Sequence, residues 1–227
     1  MNFLKKLIGS TVEEVWKAVA QSRGGTYFPP AVLKSQLYPR MSVQMGAWPV
    51  VVDVAHIDKM TLTRFRSAFF NESGFAFNLY PKSPFSNLGI ALGMQDIEVG
   101  HPDFGPHELM FGTDSYLDLE EARRKRSEFD EQYIIQGPNP EQVIRFFRNY
   151  RIRDRLHPVQ FLRFEARASE ILGDRLPPGV SKVHYLEIGI LKDPERLGVL
   201  FELMLESLET LVEMGVTTRD DTGFLFP

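Results

Sequence analysis

The chain has 227 residues, with 26 Lys and Arg against 30 Asp and Glu, a formal charge of −4 and no cysteine. This balance gives no net attraction to nucleic acid or anionic lipid. The missing thiols exclude disulfides, iron–sulfur clusters, thiolate zinc sites and a cysteine nucleophile, which fits a reducing cytoplasm.

The composition, 43% hydrophobic and 25% charged, is ordinary for a soluble globular protein. A chain of this size buries roughly 70% of its unfolded surface, enough for one large domain or two small ones. In the opening MNFLKKLIGST, Phe3, Leu4, Leu7 and Ile8 recur at helical spacing with Lys5 and Lys6 opposite. That run is too short to span a bilayer, which takes about 20 residues, and it lacks the core and cleavage site of a signal peptide. It reads as a helical arm that packs on its own domain or on a second copy, with interfacial membrane contact as the alternative.

Thr11 and Glu14 form a capping box, followed by an apolar stripe of Val12, Val15, Trp16 and Val19; Gly24 and Gly25 end this first helix. After Phe28-Pro29-Pro30 the pattern turns to strands at 41–45, 49–56 and 61–71. In the third, Thr63, Phe65, Ser67 and Phe69 alternate against Arg64 and Arg66. Asn71-Glu72-Ser73-Gly74 is a turn, and Phe75 to Tyr80 returns as the next strand, which predicts an antiparallel meander. A further strand is expected at 93–99.

Residues 101–127 read as a loose, charged insertion: His101, Pro102, Gly105, Pro106 and Gly112 precede a dense run of acids and then bases. Beyond it, Phe129, Tyr133 and Ile135 mark a strand ending at Gly137. Asn139-Pro140-Glu141 starts a helix, Leu162 to Ala166 alternates as a strand, and Val183 to Leu191 forms another. Asp193-Pro194-Glu195 opens the longest helix, with Leu200, Phe201, Met204, Leu208 and Leu211 at core spacing. Gly223 to Phe226 suits a short edge strand. The expected class is α+β, mainly antiparallel sheet with an N-terminal, a middle and a long C-terminal helix. The organisation is a helix-plus-meander unit at 1–100, the insertion at 101–127 and a strand–helix–strand–strand–helix unit at 128–227, or one continuous domain.

The segments Gly93-Met94-Gln95-Asp96-Ile97-Glu98-Val99-Gly100 and Phe129-Asp130-Glu131-Gln132-Tyr133-Ile134-Ile135-Gln136-Gly137, with Pro140-Glu141 after them, carry a resemblance. They are similar to a pattern in a family of uncharacterised bacterial proteins, G-M-Q-D-[IV]-E-[IV]-G followed by F-D-x-x-[FY]-x-[IV]-x-G. The resemblance covers most of the chain from about Trp16 and implies a bacterial, cytoplasmic, α+β protein. That family has no established activity, so no catalytic residue carries over. Here the two halves of the pattern are separated by the 101–127 stretch.

Few residues suggest chemistry. His101, Asp103, His107 and Glu108 hold metal-ligating groups within eight positions, but match no strong metal signature; a solvated loop is the simpler reading. Asp96 and Glu98 share a strand face as a candidate acid–base pair or as solvated edge carboxylates. His184 falls on the face of Leu186, Ile188 and Ile190, as a hydrogen-bonded, semi-buried histidine. Arg148, Arg151, Arg153 and Arg155 cluster after the middle helix, where cations favour a helix C-terminus. No phosphate-binding glycine loop or hydrolase elbow is present in the sequence. The expectation is a non-catalytic ligand- or protein-binding module without a cofactor, self-associating as a homodimer and not binding nucleic acid. The alternative is a metal-dependent or carboxylate-based hydrolase centred on residues 96–108.

Overall fold

The computed structural model describes residues 11–30, 38–57, 59–83, 94–99, 129–156, 161–168, 174–224 and 226. The N-terminal arm, the 101–127 segment and with it His101, Asp103, His107 and Glu108 lie outside the described residues. The class is α+β: among the described residues there are eight strands in one antiparallel sheet, four helices, and a single helical turn at 129–132.

Helix α1 (Val12–Ser22) starts as its sequence requires. Thr11 Oγ1 accepts the Glu14 N–H, and the Glu14 carboxylate accepts the Thr11 N–H at 2.8 Å. Val15, Trp16, Val19 and Ala20 face the core. Strand β1 (Thr26–Phe28) follows at once, because Gly25 lets the chain lie against β2; a Cβ there would sit 2.4 Å from the Ser42 carbonyl oxygen.

Strands β2 (Arg40–Met45), β3 (Trp48–Ile57) and β4 (Met60–Phe70) form a meander through two tight hairpins. The meander stops there. Strand β5 (Phe77–Pro81) does not pair with β4, and the sheet order is β1-β2-β3-β4-β8-β7-β5-β6. Asn71 fixes this departure from the expected hairpin. Its side-chain amide donates to the Phe75 carbonyl and to Ser181 on β8 (Val180–Ile188), while its Oδ1 accepts the Phe75 N–H. The chain is thereby turned away from β4, and β8 with β7 (Phe161–Arg167) occupies the gap.

Strand β6 (Tyr133–Gln136) is shorter than expected, since Phe129 to Gln132 makes the helical turn instead. Helix α2 (Pro140–Phe147) is capped by Asn139, which accepts the Gln142 N–H, and α3 (Tyr150–Leu156) continues from it. Helix α4 (Pro194–Glu213) is capped by Asp193. Leu200, Phe201, Met204, Leu208 and Leu211 are all fully buried on it, as their spacing predicted.

All four helices pack on one face of the sheet, in a single apolar core with Phe65, Phe69, Phe77, Leu79, Phe164, Val183 and Tyr185. Among the described residues the opposite face has a small apolar cluster, Val51, Ala68, Val180 and Phe226, with Leu176 and Phe224 against it. The C-terminal tail is thus no edge strand; Phe226 is buried on this second face, and its carbonyl accepts from Arg40.

Candidate functional site

Period-2 alternation puts on the second face every strand residue that the helices do not cover. The register aligns Val51, Arg66, His184, Glu165, Asn78 and Gln136 in one row across six strands. Arg64 with Asp53 lies in a neighbouring row on one side, and Lys182 with Arg167 on the other. This face is charged and largely dry.

Asp53 takes both forks of Arg64, at 2.7 and 2.8 Å, and also binds Arg66. Arg66 reaches Asp174, in the segment before β8, and Asp174 accepts from Lys182 at 2.5 Å. Charges therefore alternate along Arg64, Asp53, Arg66, Asp174 and Lys182. Arg66 and Lys182 are 0% exposed and Asp174 is 2% exposed. Such burial is tolerable only because each ion is paired. The Phe226 ring lies 4.5 Å from the Arg66 guanidinium carbon and closes the cluster from outside.

Burial shapes the titration of these groups. It lowers the pKa of Lys182 and of Arg66, against the pull of their carboxylates. For Asp174 burial alone would act upward, but Arg66 and Lys182 hold the carboxyl below its ordinary value. His184 is fully buried, and loss of water pushes its pKa from 6.5 to about 4, so it is neutral at physiological pH. Its Nδ1 lies 3.1 Å from Glu165 Oε1, which assigns the proton to Nδ1 and the lone pair to Nε2. Nε2 has no hydrogen-bond partner. Glu165, despite burial, is held below its ordinary pKa by the His184 hydrogen bond and by Arg163 and Arg167, each 3.6 Å from Oε2.

A carboxylate-oriented imidazole with a free Nε2 has the form of a general base. In this conformation, however, both side chains are 0% exposed, so no substrate proton reaches Nε2. The cluster is a buried network of paired charges across the sheet. His184 differs from its expected place. It shares the charged face with Leu186, while Ile188 is exposed, and it is fully rather than partly buried.

Where β5, β6 and β7 meet, the same face opens into a concavity of about 480 Å³, lined by Phe77, Asn78, Gln95, Gln136, Gly137 and Arg167 among others. Its floor is clamped. Gln95 Oε1 accepts the Gly137 N–H at 3.0 Å, Gln95 Nε2 donates to the Gly137 carbonyl, and Gln136 Nε2 donates to the Gln95 carbonyl. Gly137 is required by close approach, since a Cβ would lie 2.7 Å from both the Ala76 oxygen and Val143 Cγ2. Asn78 Oδ1 is shielded from solvent and has no hydrogen-bond partner.

The structure separates the other residues singled out by sequence. Asp96 accepts the Ile135 N–H at 3.1 Å and pairs with Lys82 at 3.0 Å, whereas Glu98 is exposed. They form no acid–base pair. Because the Asp96 side chain takes the Ile135 N–H that a strand carbonyl would need, residues 94–99 run beside β6 without the expected strand; only Ile97 N–H reaches the Ile135 carbonyl. Among the described residues no group of three His, Asp or Glu side chains is placed to hold a metal ion. The arginines after α2 do not make one basic patch. Arg153 is buried against the Phe147 carbonyl, and Arg151 faces Glu206 on α4 at 3.8 Å.

Sequence reasoning missed Asp53, Asp174, Glu165 and Lys182, and it missed Asn78 and Arg167. One signal was present: charged side chains two apart within strands, Arg64 and Arg66, Arg163, Glu165 and Arg167, and Lys182 and His184, each set sharing one face. Comparison with protein-family models, curated proteins and solved structures finds no match to this chain.

Proposed function

We propose that the protein is a non-catalytic binding module whose ligand is a small polar molecule seated in the concavity at Asn78, Gly137 and Arg167. One observation carries this reading. The concavity brings amides, backbone and one guanidinium around the shielded Asn78 Oδ1, and among the described residues no nucleophile, imidazole or carboxylate lines it. Its volume suits a small-molecule site, for which roughly 300–1,000 Å³ is usual. Acyl, phosphoryl or glycosyl transfer needs a nucleophile or an acid–base pair at the reacting bond.

The test is amide-resolved NMR of the full chain titrated with a panel of small polar compounds. Shifts at Asn78, Gly137 and Ala168 with no change in the added compound support the module. Turnover of an ester or phosphoester, abolished by a chelator, favours the hydrolase centred on residues 96–108.

The remaining parts of the proposal rest on sequence. The resemblance at 93–100 and 129–137 supports membership of the bacterial family described above, and the cysteine-free composition supports a cytoplasmic setting. A homodimer is supported by β1, a three-residue edge strand, since edge backbone groups readily find a partner copy. Light scattering at micromolar concentration tests it, and a strictly monomeric species overturns it. No helix among the described residues is long and apolar enough to cross a membrane.

A further inference from the structure

The ligand's chemistry follows from the charge ledger of the sheet's second face, given the seat proposed above. Among the described residues six cations stand there, Arg64, Arg66, Lys182, Arg163, Arg167 and Arg40, the last on the Phe226 carbonyl, against three carboxylates, Asp53, Asp174 and Glu165. Arg64, Arg66 and Lys182 share Asp53 and Asp174, whereas Arg163 and Arg167 share Glu165, and His184 adds no charge. Among the described residues Arg163 and Arg167 thus carry one positive charge beyond their common carboxylate, in a chain that is acidic overall.

Both reach toward Glu165 Oε2, but 3.6 Å is beyond hydrogen-bond range, and no hydrogen bond from a described residue holds either guanidinium. Arg167 has 31% of its side chain exposed and lines the concavity. It is thus a planar, multidentate donor facing an open recess, the geometry suited to a carboxylate. The register sets Glu165 opposite Asn78, so Arg167 is the diagonal neighbour of Asn78, with Cα atoms about 7–8 Å apart. Asn78 Oδ1 lacks a donor; the oxygen is covered, but unlike His184 its side chain is only half-buried and lines the recess, so a turn about χ2 presents it to a ligand. A buried acceptor left without one is costly, and a ligand N–H or O–H removes that cost.

We infer that the concavity binds small hydroxy- or amino-carboxylates, the carboxylate on the Arg167 guanidinium and the hydroxyl or amino donor on Asn78 Oδ1. Neither group alone defines the ligand. Acetate satisfies only Arg167, and a neutral polyol satisfies only Asn78. Among the described residues no carboxylate lines the recess to repel the anion, because Glu165 is 0% exposed behind its arginines.

The test is calorimetric titration of the full chain with hydroxyacetate, glycine, acetate, ethylene glycol and inorganic phosphate, with amide shifts at Asn78 and Gly137 as the locator. Hydroxyacetate or glycine is expected to bind at least about tenfold tighter than acetate or ethylene glycol. Arg167→Gln should weaken that binding by about tenfold or more, and Asn78→Leu should reduce it to the level of acetate. Thermal unfolding of each variant verifies its fold, and Arg167→Lys, which keeps the charge but loses the fork, serves as the second variant should Arg167→Gln fail to fold. Equal binding of acetate and hydroxyacetate, or binding indifferent to Arg167 substitution, overturns the inference. If ethylene glycol or phosphate alone shifts Asn78 and Gly137, the seat stands and the carboxylate assignment falls. If no compound shifts them, both fall.

Discussion

The two faces of the sheet solve the same problem with different physics. Under the helices, Phe65, Phe77, Phe164 and Tyr185 meet Phe146, Phe147 and Phe201 in a continuous aromatic and aliphatic layer. On the other side, Asp53, Arg66, Asp174, Lys182, Glu165 and His184 are buried beside a small apolar cluster of Val51, Ala68, Val180 and Phe226. Apolar contacts are non-directional and shared among many partners, so the first face degrades gradually. Ion pairs are directional and few, so the second fails one partner at a time. At the rim of the charged face the half-buried Asn78 and Arg167 border the recess beside Phe77.

The sharpest way to break this comparison is Asp174→Ala. It removes the carboxylate shared by Arg66 and Lys182, and leaves two buried cations facing each other with fewer carboxylates to answer them. The expected loss is about 3–5 kcal/mol, read from urea denaturation. Replacing all three partners at once, Arg66→Met with Asp174→Leu and Lys182→Met, should cost less than the single substitution, since no unanswered charge remains. A triple variant weaker than Asp174→Ala would show that the network supplies net stability.

On the helix face, Leu200→Ala should cost about 2–5 kcal/mol, through lost burial and the cavity left behind. Neighbouring side chains can partly close the gap, so the value should lie below that of Asp174→Ala. The same urea experiment measures both, and a reversed order would refute the contrast between the faces.

Acid should strike one face and spare the other. The unfolded His184 takes up a proton near pH 6.5, whereas the folded one does so only near 4. As pH falls through that window the unfolded state binds protons first, so stability drops. Glu165 and Asp174, held low in the folded state, add a loss of the same sign as pH falls below the ordinary carboxylate range. Stability should therefore be full above about pH 6.5 and decline toward pH 4. His184→Gln, which can still donate to Glu165, should flatten the upper part of that decline. An unchanged slope between pH 6.5 and 4.5 would exclude His184 as its source.

What the sequence disclosed follows the same division. The α4 stripe of Leu200, Phe201, Met204, Leu208 and Leu211 was legible because helical periodicity is local, and so was the Thr11–Glu14 cap. The facing of Arg64 and Arg66 was legible from alternation. Their shared partner Asp174 was not, since it is 108 residues from Arg66 and sits in a connection without a period. Alternation tells which residues share a face, but not which strands adjoin. The pairing of β4 with β8 instead of β5 depends on Asn71 reaching Ser181, 110 residues away. Asn78 and Arg167 become neighbours only through that rearranged order, so the recess had no linear trace.

The smallest expected effect tests whether the helix layer draws its stability from packing or from local caps. Thr11→Ala removes the acceptor for the Glu14 N–H at the exposed start of α1. Loss of such a cap costs about 0.5–2 kcal/mol. Here the value should fall near the lower end. The Glu14 carboxylate still accepts the Thr11-position N–H, and Trp16, whose ring N–H donates to the Leu191 carbonyl at 2.8 Å, keeps the helix docked. Thr11→Ser should be nearly silent, because it keeps the hydroxyl acceptor. If Thr11→Ala instead costs as much as Leu200→Ala in the same urea titration, α1 is held chiefly by its first turn. The helix face would then depend on a few directional contacts, as the charged face does, and the contrast between the two would fail for this helix.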